Sequence, residues 1–294
     1  MSNAITVNAY AKINFALDVL GCRDDGYHDV SMIMQTVELH DIVNVKKIDS
    51  ENILIKSNSD KVPNDNTNLA YKAADIIRKN YCIKSGVMIE IDKNIPIAAG
   101  LAGGSSDAAA VIKAMNILFD LNLSIDELCL NAKNIGADVP FCIIGNTALA
   151  EGIGEVLTPF KSGLDCFVLL AKPDLSVSTA QIYKAFDLKK VKKKPNINKM
   201  INFIVSGDLD GACGLLSNVL ESVTIPLYPI VGDIKKELLS LNSKGVLMSG
   251  SGPTVFALFN NEDDCKFAEL KIKEKFNLKE VYTTKLFNNV ILNS

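Results

Sequence analysis

The segment 96–110 combines glycines, serines and alanines in an order that favours an anion-binding loop. It reads Pro-Ile-Ala-Ala-Gly-Leu-Ala-Gly-Gly-Ser-Ser-Asp-Ala-Ala-Ala. Gly100, Gly103 and Gly104 allow backbone conformations closed to other residues, and they let the chain approach a ligand closely. The alanines that follow favour a helix. The N-terminus of such a helix presents unpaired N–H groups and the positive end of the helix dipole, so the pattern predicts a phosphate site.

Other interpretations of this loop are weaker. It matches neither Gly-x-x-x-x-Gly-Lys-Ser/Thr nor Gly-x-Gly-x-x-Gly, which excludes a P-loop and the dinucleotide fingerprint. A hydrolase nucleophile at Ser105 or Ser106 is disfavoured, because the chain has no Gly-x-Ser-x-Gly elbow and only His28 and His40 as imidazole bases. A tight turn with a serine cap remains the structural alternative.

The elements that must position this loop follow from periodicity and turn signals. Strands are predicted at 13–19, 30–38, 42–48, 52–57, 86–92, 141–144, 147–151, 154–158, 166–171, 245–248, 254–259 and 279–286. Helices are predicted at 69–80, 105–118, 197–205, 208–217, 229–241 and 263–275. Another helix opens on the capping box that begins at Ser124 and stops at Gly136. We predict a domain boundary near 160, with domains 1–160 and 161–294, and an α+β fold whose second half packs helices on one face of an antiparallel sheet.

Composition bounds the class of protein. The chain has 294 residues, a net charge of −3 and 48% hydrophobic residues, which predicts folded cores and argues against a dedicated nucleic-acid binder. Its seven cysteines form no Cys-x-x-Cys pair, so we expect buried free thiols in a reducing cytosol. We expect no secretory signal in 1–10 and no membrane span, hence a cytoplasmic protein.

Further motifs flank the glycine loop along the chain. Residues 9–15 read Ala-Tyr-Ala-Lys-Ile-Asn-Phe, and residues 248–256 read Met-Ser-Gly-Ser-Gly-Pro-Thr-Val-Phe. With the loop, they resemble the three motifs of the GHMP kinases, named for galactose, homoserine, mevalonate and phosphomevalonate kinases. Gly-Tyr-His-Asp-Val at 26–30 and Ile-Gly-Ala-Asp-Val-Pro-Phe at 135–141 are similar to the members that act on a cytidine-diphosphate-linked polyol. The resemblance covers nearly the whole chain.

This resemblance implies a fold and a reaction. The N-terminal domain is expected to resemble the second domain of ribosomal protein S5, and the C-terminal domain to be ferredoxin-like. The implied reaction is ATP-dependent phosphorylation, with Mg²⁺, of the 2-hydroxyl of a cytidine-diphosphate-linked methylerythritol in the non-mevalonate isoprenoid route. The implied partner is this small molecule, with no nucleic acid or membrane, in a monomer or weak homodimer.

Two alternatives remain open at this point. One is a GHMP kinase for another small alcohol, such as homoserine or mevalonate. The other is a nucleotide-binding regulatory protein that has lost catalysis, which the presence of Lys12 and Asp138 disfavours. Many superfamily members have serines where Gly103 and Gly104 stand, and one of them commonly helps to bind Mg²⁺, so the metal ligands are not assigned. The lysine-rich connector at 187–196 matches no family feature and is interpreted as a solvated loop.

Residue roles are carried over from the family motifs. Asp138 is expected to be the general base, paired with Lys12, which lies at an apolar strand position and needs a carboxylate or phosphate partner. The alternative interpretation of Lys12 is a surface lysine on an edge strand, and that of Asp138 is an ordinary aspartate in a turn. The ATP-binding set is expected to be Pro96, Ala98, Ala99, Gly100, Leu101, Ala102, Gly103, Gly104, Ser105 and Ser106, with Asn68, Leu69 and Lys93 on the adenine side.

The substrate-binding set is also carried over from the resemblance. Tyr27 and His28 are expected to hold cytosine, with Thr179 as a polar contact and Tyr183 as a second aromatic wall. A core position in a helix is the alternative for Tyr183. Asn14 is expected to contact the substrate, and Gly250, Ser251 and Gly252 to line the site near the substrate phosphates or the glycine loop.

Overall fold

The computed structural model describes residues 3–191 and 193–288, which form two β-sheets with helices on their faces. The strands are β1 (Ala4–Cys22), β2 (His28–Ile48), β3 (Ile53–Ser57), β4 (Gly86–Asp92), β5 (Thr147–Gly152), β6 (Val156–Phe160), β7 (Phe167–Lys172), β8 (Ser217–Asn218), β9 (Gly245–Met248), β10 (Val255–Phe259) and β11 (Glu280–Lys285). The helices are α1 (Leu69–Asn80), α2 (Gly103–Leu118), α3 (Ile125–Ala132), α4 (Val139–Ile144), α5 (Thr179–Ala185), α6 (Ile197–Ser206), α7 (Leu209–Cys213), α8 (Glu221–Leu227), α9 (Pro229–Ser240) and α10 (Glu262–Phe276). None of these helices is long and apolar enough to cross a membrane.

The first sheet is built on the long antiparallel hairpin of β1 and β2. Its order is β3-β4-β2-β1-β8, with β5 pairing β2 and β6 pairing β5. The sequence predicts several shorter strands here, because the β1–β2 register shifts three times, between Tyr10 and Lys12, between Asn14 and Ala16, and between Val19 and Gly21. Each shift breaks the period-two alternation that marks a strand. Helices α1 and α2 pack on one face of this sheet around an Ala-rich core.

The second sheet is antiparallel throughout, in the order β11-β7-β10-β9. Helix α9 precedes β9 and α10 connects β10 to β11, which is the ferredoxin-like pattern that the family resemblance implies. Leu169 and Val255 pack against α9 and α10, as predicted. The opposite face is covered too, since Leu170 and Phe256 share a core with Phe15 of the first sheet.

Some local predictions are wrong. Residues 139–144 form α4 rather than a strand, and α3 ends at Ala132 rather than at Gly136. The predicted helix at 208–217 is only α7, followed by the two-residue β8. All seven cysteines are free as predicted, but Cys22 and Cys82 are exposed.

Strand β8 comes from the second half of the sequence and joins the first sheet. It runs parallel to β1, with Leu17 opposite Asn218. The two halves of the sequence are therefore joined by main-chain pairing as well as by side-chain packing. The domain boundary near 160 stays a prediction.

Candidate active site

Lys12 and Asp138 meet at the edge of the first sheet. Lys12 Nζ lies 3.9 Å from Asp138 Oδ2, and it donates a hydrogen bond of 2.7 Å to Asn14 Oδ1. The Lys12 side chain is 5% exposed, whereas that of Asp138 is 31% exposed. A buried ammonium group is thus held beside a carboxylate that a ligand can reach, which is the arrangement predicted for the catalytic pair.

The local structure explains why the Asp138 carboxylate is available. Asp138 is the N-cap residue of α4, but its side chain makes no capping hydrogen bond. Pro140 lies in the first turn of α4, where its missing N–H costs no hydrogen bond. The carboxylate therefore faces Lys12 instead of satisfying its own helix.

The glycine loop delivers the N-terminus of α2 to the same region. Positive φ angles occur at Ala98 (53°), Gly100 (75°) and Ala102 (58°). Gly103 and Gly104 have helical backbone angles, so the expectation that they adopt conformations closed to other residues is wrong. What these two positions provide is the absence of a Cβ atom. Helix α2 has no side-chain cap and no acidic residue in its first turn. Its N–H groups are free to bind an anion, and phosphate fits such a site.

The two serines of the loop have different environments. Ser106 is buried, with Oγ 2.6 Å from Tyr10 O and 3.2 Å from Cys142 Sγ, so its hydroxyl ties the loop to β1. Ser105 is only partly buried and stands beside Gly136, whose added Cβ would lie 3.9 Å from Ser105 Oγ. Of the two, Ser105 is the one placed to reach a ligand near the Asp138 turn.

Residues 249–252, between β9 and β10, close the site from the second half of the chain. Ser249 Oγ donates to Gly100 O at 3.0 Å. A Cβ added at Gly250 would lie 3.2 Å from Gly100 O and 3.5 Å from Lys12 Nζ. The turn therefore lies against the glycine loop and next to Lys12, and a role in substrate binding for Gly250, Ser251 and Gly252 stays a prediction.

His28 and Tyr183 come together although they are far apart in sequence. Their ring centroids are 5.3 Å apart with an interplanar angle of 45°. Thr179 Oγ1 lies 2.8 Å from Ser251 Oγ, which links α5 to the 249–252 turn. Burial, together with the negative charge of Asp138, raises the pKa of the Tyr183 phenol. Tyr27 lies on the hairpin tip next to His28 and is 58% exposed.

The residues predicted on the adenine side divide into two groups. Leu69 contacts the glycine loop, since a Cβ added at Gly104 would lie 3.8 Å from Leu69 Cδ1. Asn68 caps α1 by accepting from Ala70 N at 2.8 Å, and its amide donates to Pro63 O at 2.8 Å. The Asn68 side chain therefore makes its hydrogen bonds within the protein.

A cavity of about 370 Å³ opens beside the start of the loop, lined in part by Ser59, Lys61, Lys93, Asn94 and Pro96.

Lys93 lies beneath the loop in a buried ion cluster. Its Nζ pairs with Asp41 and lies 2.8 Å from Asp107 Oδ2, and all three side chains are at most 6% exposed. Asp41 also accepts the backbone N–H groups of Asn94 and Ile95 through Oδ1. The Lys93 ammonium thus ties the first turns of α2 to Asp41, although the residue also contributes to the lining of the cavity. No sequence motif points to Asp41, whereas Asp107 is marked by its position inside an alanine-rich helix.

This cluster predicts a pH dependence of stability. Burial, opposed by Lys93 and reinforced by Asp41, raises the pKa of Asp107 from 3.8 to about 7. The folded chain therefore keeps a proton that the unfolded chain has released, so this contribution to stability falls as the pH rises from about 4 to about 7. We expect Asp107→Asn to remove that decline. Urea unfolding of both proteins across this pH range measures it, with exposed Asp126→Asn as the control. Parallel curves for wild type and Asp107→Asn would contradict the assignment.

The donor set for a metal ion is sparse. Within residues 3–191 and 193–288, no group of three or more His, Cys, Asp or Glu side chains is placed to hold a metal. Mg²⁺ commonly uses one or two carboxylates together with substrate phosphates and retained waters. An ion bound here would therefore rely mainly on phosphates and water rather than on a protein cage.

Sequence comparisons show the family to which the chain belongs. The family description "GHMP kinases N terminal domain" matches residues 68–146, and "GHMP kinases C terminal" matches residues 200–278. The 4-diphosphocytidyl-2-C-methyl-D-erythritol kinase of Caldicellulosiruptor bescii is 48% identical over 280 residues, covering 95% of this chain and 96% of that protein. The enzyme of the same name from Clostridioides difficile is 49% identical over 280 residues, covering 95% and 94%.

Solved structures of related kinases are similar to this chain at lower sequence identity. A crystal structure of 4-(cytidine 5'-diphospho)-2C-methyl-D-erythritol kinase superposes with a TM-score of 0.82 at 29% identity, covering 96% of this chain and 99% of that one. Homoserine kinase from Cytophaga hutchinsonii superposes with a TM-score of 0.80 at 20% identity, covering 98% and 96%, which shows the shared fold alone. Since relatives at 48–49% identity span nearly the whole chain, the protein belongs to the GHMP kinases and, among them, to the 4-diphosphocytidyl-2-C-methyl-D-erythritol kinase family.

Proposed function

We propose that this protein is an ATP-dependent kinase for the 2-hydroxyl of 4-diphosphocytidyl-2-C-methyl-D-erythritol, in the synthesis of isoprenoid precursors. The observation that carries the proposal is the Lys12–Asp138 pair, 3.9 Å apart, with the glycine loop and the 249–252 turn packed around it. Phosphoryl transfer needs an aligned alcohol, a cradled triphosphate and neutralised charge, and these three elements supply them.

The chemistry assigns one task to each residue. Asp138 accepts the proton of the attacking hydroxyl, and Lys12 stabilises the charge that develops on its oxygen. The oxygen attacks the γ-phosphorus of ATP, its bond to phosphorus forms as the bridging P–O bond breaks, and ADP leaves with the electron pair. The N–H groups of α2 bind the triphosphate in the cradle described above.

Mg²⁺ is proposed to enter with the nucleotide. When bound, it neutralises charge on the β- and γ-phosphates. Since Asp138 is assigned to the proton of the hydroxyl, Ser105 is the side chain of this chain that would face the ion, and phosphates and water would supply the remaining ligands. Gly103 and Gly104 carry no ligand atoms in their side chains, so the serine ligands of other superfamily members have no counterpart at those positions.

The function is tested by phosphorus NMR of a reaction that contains the cytidyl substrate, ATP and Mg²⁺. We expect a new phosphomonoester resonance coupled to the carbon that carries the 2-hydroxyl, together with ADP. Homoserine and mevalonate in parallel reactions test the alternative alcohols. Turnover of either one in preference to the cytidyl substrate would overturn the substrate assignment.

The nucleobase pocket carries a prediction about specificity. Stacking between aromatic rings contributes roughly 1–3 kcal/mol per base but accepts uracil as well as cytosine. Rejection of uracil needs a polar group that matches the cytosine amino donor and ring acceptor, and a mismatched buried group costs about 1–3 kcal/mol. His28, which lies against Tyr183, is the candidate. We therefore expect the uridine analogue to react about tenfold less efficiently in kcat/KM.

The corresponding variant is His28→Ala. We expect it to narrow the gap between the two analogues while the KM for ATP stays nearly unchanged. His40, the second histidine, packs against Tyr10 instead, so His40→Ala is the matched control and should keep the gap. Equal use of both analogues by the wild type would remove the basis for a cytidine pocket. The cytoplasmic location and the monomer or weak homodimer stay predictions.

A further inference from the structure

Asn218 lies in the short strand that joins the two halves of the chain. It is 5% exposed, and it stands opposite Leu17 in the parallel pairing of β8 with β1. The pairing continues as Val219 N donates to Leu17 O at 3.0 Å. Asn218 is therefore fixed to the same strand that carries Lys12.

The carboxamide of Asn218 forms hydrogen bonds with the end of β9 and with the turn that follows. Its Nδ2 donates to Met248 O at 2.8 Å and to Gly250 O at 2.7 Å. Its Oδ1 accepts from Leu220 N at 3.0 Å. Both amide hydrogens and the carbonyl oxygen are thus used, so a change of side chain leaves buried backbone groups without partners.

Glu221 holds the same segment from the next turn of chain. Its Oε1 accepts from Met248 N at 3.0 Å, and Lys235 donates to both carboxylate oxygens at 2.6 and 2.8 Å. Thr224 adds a hydrogen bond of 3.1 Å to Ser251 O. Residues 218–224 therefore bond to the backbone of Met248, Gly250 and Ser251.

The position of that turn matters for the reaction. Gly250 packs against the Lys12 ammonium, and Ser249 is bonded to the Gly100 carbonyl of the glycine loop. A displaced turn would release both the catalytic lysine and the phosphate loop from their contacts. Misplacement by about 1 Å is enough to lower a rate substantially.

From these contacts we infer that Asn218 is a positioning residue for phosphoryl transfer, with Glu221 in support. Asn218 fixes the position of the 249–252 turn relative to β1, and thereby the position of the turn relative to Lys12. The inference rests on the proposed function and adds to it a residue that touches neither substrate nor nucleotide. Asn218 lies 80 positions beyond Asp138 in the chain, so its link to the site emerges only from the fold.

The matched control is Asn131 in α3. It is also buried, donates to Tyr81 Oη and Glu127 O, and accepts from Asn80 Nδ2. Asn131→Ala therefore loses as many hydrogen bonds as Asn218→Ala, three in each case, but outside the site. Asn218→Asp is the second variant, since it keeps the size and the acceptor of Asn218 and loses both donors.

The first experiment compares steady-state kinetics of the folded variants, with urea unfolding used to confirm that each is folded. We expect Asn218→Ala and Asn218→Asp to lower kcat about tenfold or more, with a much smaller change in either KM, while Asn131→Ala keeps wild-type kcat. In a Lys12→Met background, Asn218→Ala should lower the residual rate less than it does in the wild type, because part of its effect acts through the Lys12 ammonium. Wild-type kcat in folded Asn218→Ala, or equal losses in both backgrounds, would overturn the inference.

A second measurement separates this inference from the proposed function. Amide hydrogen exchange needs no substrate, and we expect Asn218→Ala to speed exchange in 249–252 and in 98–102, whereas Asn131→Ala does not. If Asn218→Ala speeds exchange but the wild type fails to turn over the cytidyl substrate, the positioning role is kept and the substrate assignment is rejected. If exchange is unchanged in Asn218→Ala and the wild type turns over the cytidyl substrate, the positioning role alone is rejected.

Discussion

Replacement of Asp138 by asparagine should lower turnover by about 10² to 10⁴-fold and leave ATP binding nearly intact. Asparagine keeps the shape of the side chain but cannot accept the proton of the attacking hydroxyl. The carboxylate caps no helix, so its loss leaves the N-terminus of α4 as it was. The expected loss corresponds to about 3–5 kcal/mol of activation free energy. Single-turnover kinetics with the cytidyl substrate, alongside calorimetry of ATP binding, measure the two effects separately.

The controls for this result come from the same site and from the surface. Asp126→Asn removes an exposed carboxylate from α3 and should leave turnover unchanged. Lys12→Met should cause a loss of similar size, and the double variant should be little slower than either single one, because residues that act as a unit are strongly non-additive. Near-normal turnover of Asp138→Asn with ATP bound would remove Asp138 as the general base.

Local patterns were enough to predict the elements that carry the phosphate site. The α1 and β4 bounds match the prediction because apolar spacing and turn residues mark both ends. The strand predicted at 141–144 is wrong because a short apolar run has no period that separates strand from helix. Pro140, in the first turn of α4, was the local signal for this helix, since proline is favoured there.

The residues that support the site were harder to predict, because they meet through long-range contacts. Lys93 is 52 positions from Asp41, and Asn218 is 30 and 32 positions from its two carbonyl partners. Contacts between residues so far apart produce no periodic pattern in the sequence. Motif resemblance indicated the residues that we propose to face the ligands, such as Lys12 and His28. It could not indicate that Lys93 is already paired within the protein.

Gly103 and Gly104 lie side by side at the start of α2, but only one of them gives a clean test of the triphosphate cradle. A Cβ added at Gly103 would lie 3.2 Å from both Lys93 Nζ and Ile95 Cγ2, so any side chain there disturbs the buried ion cluster. At Gly104 the nearest atom is Leu69 Cδ1 at 3.8 Å, an ordinary contact, and the position is exposed. A side chain at Gly104 therefore meets solvent or ligand rather than the protein.

Gly104→Val should consequently fold normally and bind ATP about tenfold or more weakly, because the isopropyl group occupies the space through which phosphate approaches the N–H groups of α2. The affinity for the cytidyl substrate should barely change, since His28, Thr179 and Tyr183 lie on other elements. Calorimetry with each ligand alone measures both affinities. Gly214→Val, at an exposed position after α7, is the control for adding a β-branched side chain. Equal losses for the two ligands would mean that the loop supports the fold rather than the triphosphate.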